Sequence, residues 1–552
     1  MVAGAVLILW AAVNQPYNQN ELKQIEPYGS DDVGTVTGGT RQPPLDALLG
    51  SLFQHSLGQG QLRQHLEPAL AGIGTLVVLA LLLRRLGLGH AGASALWLLA
   101  TQPLMVHYSA YARPYALPVF LMVLLGYAAH GWMQERRLRW LVLSVAAAGA
   151  LPLTRVPEPN TFLAALAATL TWASYRHRRP WSQTAPLIAT AVAAVAFVGY
   201  PMYRSLAADG PGFDPSPAGI VRRFPAGVSE VWNRVLPWMG DWFPWWPVTL
   251  ALIVVTFALP SARDRLLHEW GWVWWPLLAG PLVFIVAYHF MNPDSLTARP
   301  YRDRYAYFFL PAFALLIAAL AAVTEEARAS GRGTRAVRVG VSLLLGVAGV
   351  AQLPATAAVV TENVAPDFDQ AGRVLAEMLP ADAVVVYATP VSLDLWRQDF
   401  LPRQVDPSMP LVLDADVIAK DPAQVPDAGP VYVLVLDGEC ANSVYCDKPT
   451  VAWDGAVEGW NQIVRVDRFS VYAPSAALTG RTGVTEAMTD FAAVFGPEYG
   501  LIETFAAASV LRASGQEGQA RDLVGSALGS LDPDRAQLLR KIAKRSSLLG
   551  RG

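Results

Sequence analysis

The stretch "LAGIGTLVVLALLLRRLG", residues 70–87, is an apolar run that ends in two adjacent arginines. No charged side chain interrupts it before Arg84. About 20 mostly apolar residues are enough for a helix to cross the hydrocarbon core of a bilayer. The run therefore predicts a transmembrane helix with positive charge at one end.

Similar apolar runs recur along the chain, which is 53% hydrophobic and 16% charged, whereas soluble proteins carry about 25% charged residues. A shorter apolar piece, Met1 to Val13, has neither the basic start nor the cleavage site of a secretory signal, and we interpret it as the end of a first helix. The other runs are centred on Leu98, Val123, Ala147, Ala167, Ala193, Ile253, Val283, Leu316 and Leu345. Together they predict a polytopic α-helical membrane protein with about 11 transmembrane helices.

The arginines predict the orientation, because short cytoplasmic loops collect Lys and Arg. With residue 1 inside, every short basic connection falls inside: Arg84–Arg85, Glu135–Arg139, Arg176–Arg179, Ala262–Arg265 and Arg328–Arg338. The long connections then face outward: 14–67, 204–246, 292–304 and everything after Thr361. We therefore expect a multi-pass cell-membrane protein made of a membrane domain, residues 1–360, and an extracytoplasmic tail.

The tail changes in composition, because turn and charged residues increase and no run is long enough to span. Short β-branched and aromatic runs that start at Ala383, Val431 and Phe469 predict strands, and the segment from Asp367 has helical spacing. This pattern predicts a small α/β domain over residues 361–475. Residues 476–552 contain three short amphipathic stretches and predict a helical segment. Cys440 and Cys446 either pair in an oxidising compartment or are two unrelated thiols.

Several classes of function find no support in the sequence. The net charge of −2 argues against a nucleic-acid partner, which requires a clustered basic excess. There is no phosphate-binding Walker loop and no nucleophile elbow. His55, His65 and His107 show no ligand spacing, so we predict neither a metal site nor a cofactor, and any metal requirement stays open.

Polar residues gather in three of the predicted outward segments, where burial of such groups near a membrane is costly and often functional. The first is the long loop 14–67, the second is "TARPYRDRYAYFFLP", residues 297–311, and the third is "VHYSAYARPYAL", residues 106–117. Taken singly, the carboxylates are also consistent with solvated surface and the Arg–Tyr pairs with interface anchors. We also expect the tryptophans of the second long loop to form an aromatic belt rather than a platform for a sugar.

Four segments in a fixed order resemble a known family. They are "TRQPPLDALLGSL" (40–52), "LAGIGTLVVLALLLRRLG" (70–87), "QPLMVHYSAYARPYAL" (102–117) and "YRDRYAYFFLPAFALLIAAL" (301–320). Their order is similar to that in C-type membrane glycosyltransferases, in the bacterial branch related to protein O-mannosyltransferases and aminoarabinose transferases. The resemblance runs from about Tyr17 to Asp382 and implies transfer of a sugar from a polyprenyl-phosphate donor at the outer face.

The resemblance also implies roles for particular residues. Glu21, early in the first outer loop, takes the place of the general base, with Asp31 and Asp32 as alternatives. The residues that would line the cavity for the lipid phosphate and sugar are Lys23, Arg41, Tyr108, Arg113, Tyr115, Arg302, Arg304 and Tyr305. Three features depart from the pattern. Gln42 replaces a histidine before the two prolines, Tyr111 replaces an acidic residue, and the acidic pair at the catalytic position is reduced to Asn20–Glu21.

The chemistry explains why these residue types are expected. An attacking hydroxyl must lose a proton to a carboxylate, and the departing phosphate is stabilised by arginine. Direct attack by the acceptor, whether lipid, glycan or protein, would invert the anomeric centre. Three alternatives remain open: a transporter or lipid flippase, a surface-polysaccharide polymerase or ligase, and a family member that only binds or scaffolds.

Overall fold

The computed structural model describes the chain except residues 1, 16–20, 22–29, 40–43, 58–60, 156, 177–179, 203–245, 292–305, 331–334, 362–367, 389–409, 437–455, 467–468, 497–499 and 532–552. It divides into two compact units. The first comprises Met1–Gln15 and Pro27–Glu362, and the second comprises Pro16–Glu26 and Asn363–Gly552. Glu21, which the structure describes, therefore belongs to the second unit.

All regular elements described in the first unit are helices. They are α1 (Val2–Asn14), α2 (Val33–Gly39), α3 (Pro44–Leu57), α4 (Gln61–Arg85), α5 (Gly89–Ala100), α6 (Pro103–Ser109), α7 (Ala116–Glu135), α8 (Leu138–Thr154), α9 (Pro157–Arg176), α10 (Trp181–Ala194), α11 (Trp246–Ala258), α12 (Pro260–Asp264), α13 (Gly271–Met291), α14 (Leu310–Ser330) and α15 (Arg335–Thr361). Short π-helical turns at 195–199 and 265–269 and a 3₁₀ turn at 307–309 adjoin these helices.

Several of these helices are suited to a bilayer. In the described residues, five are long and apolar enough to cross a membrane: His65–Arg85, Ala116–Glu135, Trp181–Met202, Tyr307–Ala329 and Arg335–Thr361. Shorter apolar helices are Val2–Asn14, His90–Ala100, Leu138–Thr154 and Gly271–Phe284. The helical membrane class predicted from the sequence is confirmed, whereas the number of about 11 transmembrane helices stays a prediction.

The apolar run around Leu98 is divided into two helices. α5 ends at Ala100, and Pro103 starts α6, where a missing N–H costs nothing. The side chain of Gln102 caps α6 by accepting hydrogen bonds from the backbone N–H groups of Leu104 and Met105. At about 1.5 Å per residue, the 12 residues of α5 are too short to cross about 30 Å of hydrocarbon.

Small residues allow close contacts between helices of the first unit. Helix α9 packs along α13. A Cβ atom at Gly280 would lie 2.6 Å from Cα of Phe162. This is too close for any side chain, so only glycine fits at this position. Such close approach is a general feature of packing between membrane helices.

The second unit contains a five-stranded sheet with the order β2-β1-β3-β5-β4. The strands are β1 (Val384–Ala388), β2 (Leu411–Asp414), β3 (Val431–Leu436), β4 (Trp460–Val466) and β5 (Phe469–Pro474). β1 pairs in parallel with β2 and β3, whereas β5 is antiparallel to both β3 and β4. The three strands predicted from the sequence correspond to β1, β3 and β5.

Helices cover this sheet, and those that follow β2 in the chain share its core. The helices are α16 (Phe368–Met378), α17 (Ala415–Lys420), α18 (Gly480–Phe495), α19 (Leu501–Ala513) and α20 (Glu517–Gly529). One hydrophobic cluster joins Val433 of β3, Phe491 of α18 and Phe505 of α19. The side chain of Trp460 also donates a hydrogen bond to Asp490 at 2.9 Å. Residues on either side of the sequence-based boundary at 475/476 therefore belong to one packed unit.

Candidate functional site

The site begins at the turn between α6 and α7, residues 110–115. The backbone N–H of Arg113 donates to the carbonyl of Tyr111 at 2.7 Å, and that of Tyr115 donates to the carbonyl of Arg113 at 2.7 Å. Pro114 restricts the backbone between them. The tight path brings three residues predicted from the sequence, Tyr108, Arg113 and Tyr115, to one end of the first unit.

Four tyrosines form an aromatic cluster at this turn: Tyr108, Tyr111, Tyr115 and Tyr307. Ring centroids are 5.3 Å apart for Tyr108 and Tyr115 and 5.6 Å apart for Tyr108 and Tyr307. Tyr111 stacks on Tyr115 at 6.0 Å. Such spacings are favourable for aromatic pairs, so the cluster fixes the turn against the start of α14.

Arg155, the residue after α8, lies against this cluster and pairs with Glu158 in the first turn of α9. Nε of Arg155 is 2.7 Å from Oε1 of Glu158, and their side chains are 12% and 1% exposed. The two side chains form an ion pair, but the Nε–H bond of Arg155 does not point at the carboxylate oxygen closely enough to form a hydrogen bond. The guanidinium of Arg155 also lies 4.7 Å from the ring centroid of Tyr115, within the range of a cation–π interaction.

Neither Arg155 nor Glu158 was predicted from the sequence as a site residue. The signal that could have found them is the segment "RVPEPN", residues 155–160, which places two ionisable groups between two apolar runs. Ionisable groups at such positions are candidates for function. Their contact with Tyr115 depends on helix packing, which a single sequence does not reveal.

A second group of polar residues is buried near the aromatic cluster. Ser109 Oγ and Tyr307 Oη are 3.2 Å apart, and Tyr307 interacts electrostatically with Glu67 of α4. Glu67 in turn interacts with Asp46 of α3. Both carboxylates are buried. Glu67 and Asp46 thus add buried acidic groups to this part of the first unit.

Close packing holds Ser109 in place. A Cβ atom at Gly72 of α4 would lie 2.1 Å from Ser109 Oγ and 2.3 Å from Ser109 Cβ. Glycine at position 72 therefore allows α4 to approach α6 and leaves the hydroxyl of Ser109 beside Tyr307.

The three predicted acidic candidates are in different surroundings. Glu21 is buried, with 2% of its surface exposed, and it belongs to the second unit. The side chain of Asp31 is fully exposed and lies 3.2 Å from Nε2 of His55. Asp32 accepts a hydrogen bond from the backbone N–H of Gly34 at 3.2 Å and so caps α2.

The remaining predicted site residues, Lys23, Arg41, Arg302, Arg304 and Tyr305, lie outside the described residues. The chain is described again from Ala306, and the next residue, Tyr307, belongs to the aromatic cluster.

The arrangement is suited to holding an anion. Arg113 is half-buried on the tyrosine turn, and Arg155 contacts Tyr115 two residues further on. Arginine stays protonated and presents several donors that match phosphate oxygens. Within the described ranges, no three His, Cys, Asp or Glu side chains are grouped so that they could hold a metal ion.

A family model described as dolichyl-phosphate-mannose-protein mannosyltransferase matches residues 41–202 of the chain. The matched segment contains the tyrosine turn and the Arg155–Glu158 pair. It confirms the resemblance to C-type membrane glycosyltransferases that the ordered motifs indicate. With the apolar helices, it points to a membrane glycosyltransferase.

Solved structures with a similar course of the chain include ArnT from Cupriavidus metallidurans bound to undecaprenyl phosphate, with 15% identity and a TM-score of 0.46 over 85% of this chain and 96% of that one. The oligosaccharyltransferase of Archaeoglobus fulgidus in the apo form has 14% identity and a TM-score of 0.42, over 69% of this chain and 58% of that one. Arabinosyltransferase EmbB from Mycobacterium smegmatis has 14% identity and a TM-score of 0.34, over 69% of this chain and 43% of that one. No curated protein matches the chain.

Proposed function

We propose that this protein transfers a sugar from a polyprenyl-phosphate-linked donor to an acceptor at the extracytoplasmic face of the cell membrane. The observation that supports this most is the convergence of the tyrosine turn, the Arg155–Glu158 pair and Tyr307 at one end of the first unit. The family match, whose description names a dolichyl-phosphate sugar as donor, supports the same donor class.

In this proposal, Arg113 and Arg155 bind the phosphate of the donor. The sugar–phosphate bond breaks with both electrons going to the phosphate oxygen, and the two guanidinium groups stabilise the charge that develops there. Glu158 holds Arg155 against Tyr115 and prevents its side chain from turning into water. The polyprenyl chain lies among the apolar helices.

The acceptor hydroxyl attacks the anomeric carbon from the side opposite the phosphate, so the configuration inverts. Its proton passes to a carboxylate, for which we propose Glu21. A carboxylate can accept this proton when it lies within hydrogen-bond reach of the hydroxyl. Glu21 is buried, with 2% of its surface exposed, and is the candidate that we propose for this role. Lys23, Arg41, Arg302, Arg304 and Tyr305 are proposed to complete the donor site, and the acceptor is a lipid, a glycan or a protein.

The test compares cell-envelope glycans by mass spectrometry in a deletion strain that carries either the wild-type gene or a variant. We expect the deletion to remove a glycan modification and the wild type to restore it. Glu21→Gln should fail to restore it although immunoblots show normal protein in the membrane. Asp31→Asn, which changes an exposed carboxylate, should restore it. Unchanged glycans in the deletion strain would contradict the proposed function.

The donor site is tested separately with Arg304→Ala and Arg113→Gln. Both should raise the apparent KM for an undecaprenyl-phosphate sugar in membrane vesicles by about tenfold or more, because a charge-assisted hydrogen bond contributes about 1.5–3 kcal/mol. Arg335→Gln, at the exposed start of α15, is the matched control and should leave the KM unchanged. Equal KM values in all three variants would exclude the phosphate role.

A further inference from the structure

A cavity of about 270 Å³ lies where the end of α9 meets the start of α13. Three tryptophans (Trp172, Trp272 and Trp275) and two basic side chains (Arg176 and His268) contribute to its wall. The α9 residues that face it, from Thr169 to Arg176, follow helical spacing. This cavity is at the opposite end of α9 from the Arg155–Glu158 pair and is not used by the proposed transfer reaction.

Basic side chains lie around the cavity. Arg176 is exposed in the last turn of α9 and lines the cavity wall. The side chain of His268 is 62% exposed and lies 3.9 Å from Asp264, which also lies 3.8 Å from Arg263.

Two further acidic residues lie nearby. Glu326 is paired with Arg265, and Glu269 is exposed beside His268. Asp264 and Glu326 each lie beside an arginine outside the cavity wall. Among the described residues no ion pair involves Arg176, so its positive charge remains for an anion in the cavity.

Exposed aromatic rings at the same helix ends place the cavity at the depth of lipid headgroups. Trp172 is 59% exposed, Tyr175 77%, Trp181 54% and Trp275 40%. Exposed Trp and Tyr side chains are enriched at the membrane–water interface. Trp272, in contrast, is 5% exposed and stacks on His130 at 5.7 Å, and so forms a fixed inner wall.

We propose that this cavity binds the phosphate headgroup of an anionic phospholipid. A volume of about 270 Å³ accommodates a glycerophosphate group but not the acyl chains, which would extend along the apolar outer faces of α9 and α13. The arginines place this end on the cytoplasmic side by the positive-inside rule. Basic pockets between transmembrane helices on that side are suited to anionic headgroups.

The test uses the full-length protein purified in detergent and titrated with phosphatidylglycerol or with phosphatidylcholine of identical acyl chains. Bound lipid is counted by native mass spectrometry. We expect wild-type protein to retain phosphatidylglycerol more tightly than phosphatidylcholine. Arg176→Gln should weaken phosphatidylglycerol binding about fivefold, since one basic side chain near an anionic surface contributes about 1 kcal/mol. Arg335→Gln makes the same charge change outside the cavity and should bind like the wild type.

A second variant tests the cavity without changing charge. Ala173 lines it and is 6% exposed, so Ala173→Leu should fill part of the space and reduce phosphatidylglycerol binding. Thermal unfolding in the same detergent identifies any variant that has lost its fold, and Arg176→Lys then supplies a conservative replacement that should retain most of the binding.

Three outcomes would overturn the proposal. They are equal retention of the two lipids by the wild type, equal loss in Arg176→Gln and Arg335→Gln, and displacement of bound lipid by millimolar glycerol phosphate, which would indicate a site for a free phosphate compound.

Discussion

The buried ion pair between Arg155 and Glu158 allows a quantitative prediction. Breaking a buried pair by removing one partner typically costs about 3–5 kcal/mol, because the remaining charge is left without compensation. The side chain of Glu158 is 1% exposed and that of Arg155 is 12% exposed. Arg155→Gln leaves the more deeply buried charge, that of Glu158, without a partner, so it should destabilise the protein more than Glu158→Gln. Arg155→Gln also removes the contact with the Tyr115 ring, a further cost of about 0.5–2 kcal/mol.

The double variant replaces both charges by amides and should cost much less than the sum of the single variants. We expect a coupling free energy of about 2–3 kcal/mol. The assay is equilibrium unfolding of the purified chain in mixed micelles, followed by the helical circular dichroism signal. The control is the Glu135–Arg139 pair, 3.2 Å apart but 31% and 60% exposed, for which a coupling below about 0.5 kcal/mol is expected. Equal coupling in the two cycles would refute the role given to burial.

Two further predictions concern packing and orientation. Gly72→Ala should destabilise the protein by about 1–3 kcal/mol, because the new methyl group would meet Ser109 at 2.3 Å or less. Gly149→Ala, with no heavy atom within 4 Å of the added Cβ, should be neutral or stabilise the helix by up to about 1 kcal/mol; similar losses for both glycines would contradict the packing argument. In a background without Cys440 and Cys446, Glu517→Cys, on an exposed part of α20, should react with a membrane-impermeant thiol reagent in intact cells, whereas Arg335→Cys should react only after lysis. The reverse pattern would show that the orientation is wrong.

The sequence predicts those helices and strands that are marked by a continuous run of one residue type. The apolar runs give the membrane helices, and the β-branched runs give β1, β3 and β5. β2 and β4 escape prediction for different reasons. Leu411–Asp414 is only four residues long, which is too short for a pattern to be recognised. In Trp460–Val466 the polar residues Asn461 and Gln462 are adjacent, so polar and apolar residues do not alternate as they do in a half-buried strand.

The site is less predictable because its contacts join distant parts of the chain. The tyrosine turn stands out, since it interrupts two apolar runs with polar and aromatic residues. The contact between Ser109 and Tyr307, however, joins residues 198 positions apart. The pairing of Arg155 with the Tyr115 ring depends on how α8 and α9 pack beside α7, and this is decided by side-chain volumes at many positions.

The acidic residues show how structure changes the order in which candidates should be tested. Asp31 and Asp32 were predicted as alternatives to Glu21, but one is exposed beside His55 and the other caps a helix. Asp46 and Glu67 are buried and interact with each other, and Glu67 also interacts with Tyr307 of the aromatic cluster. If Glu21→Gln still restores the glycan, we expect Glu67→Gln to abolish it while Asp32→Asn leaves it intact, because Glu67 is buried and Asp32 is exposed at the start of a short helix.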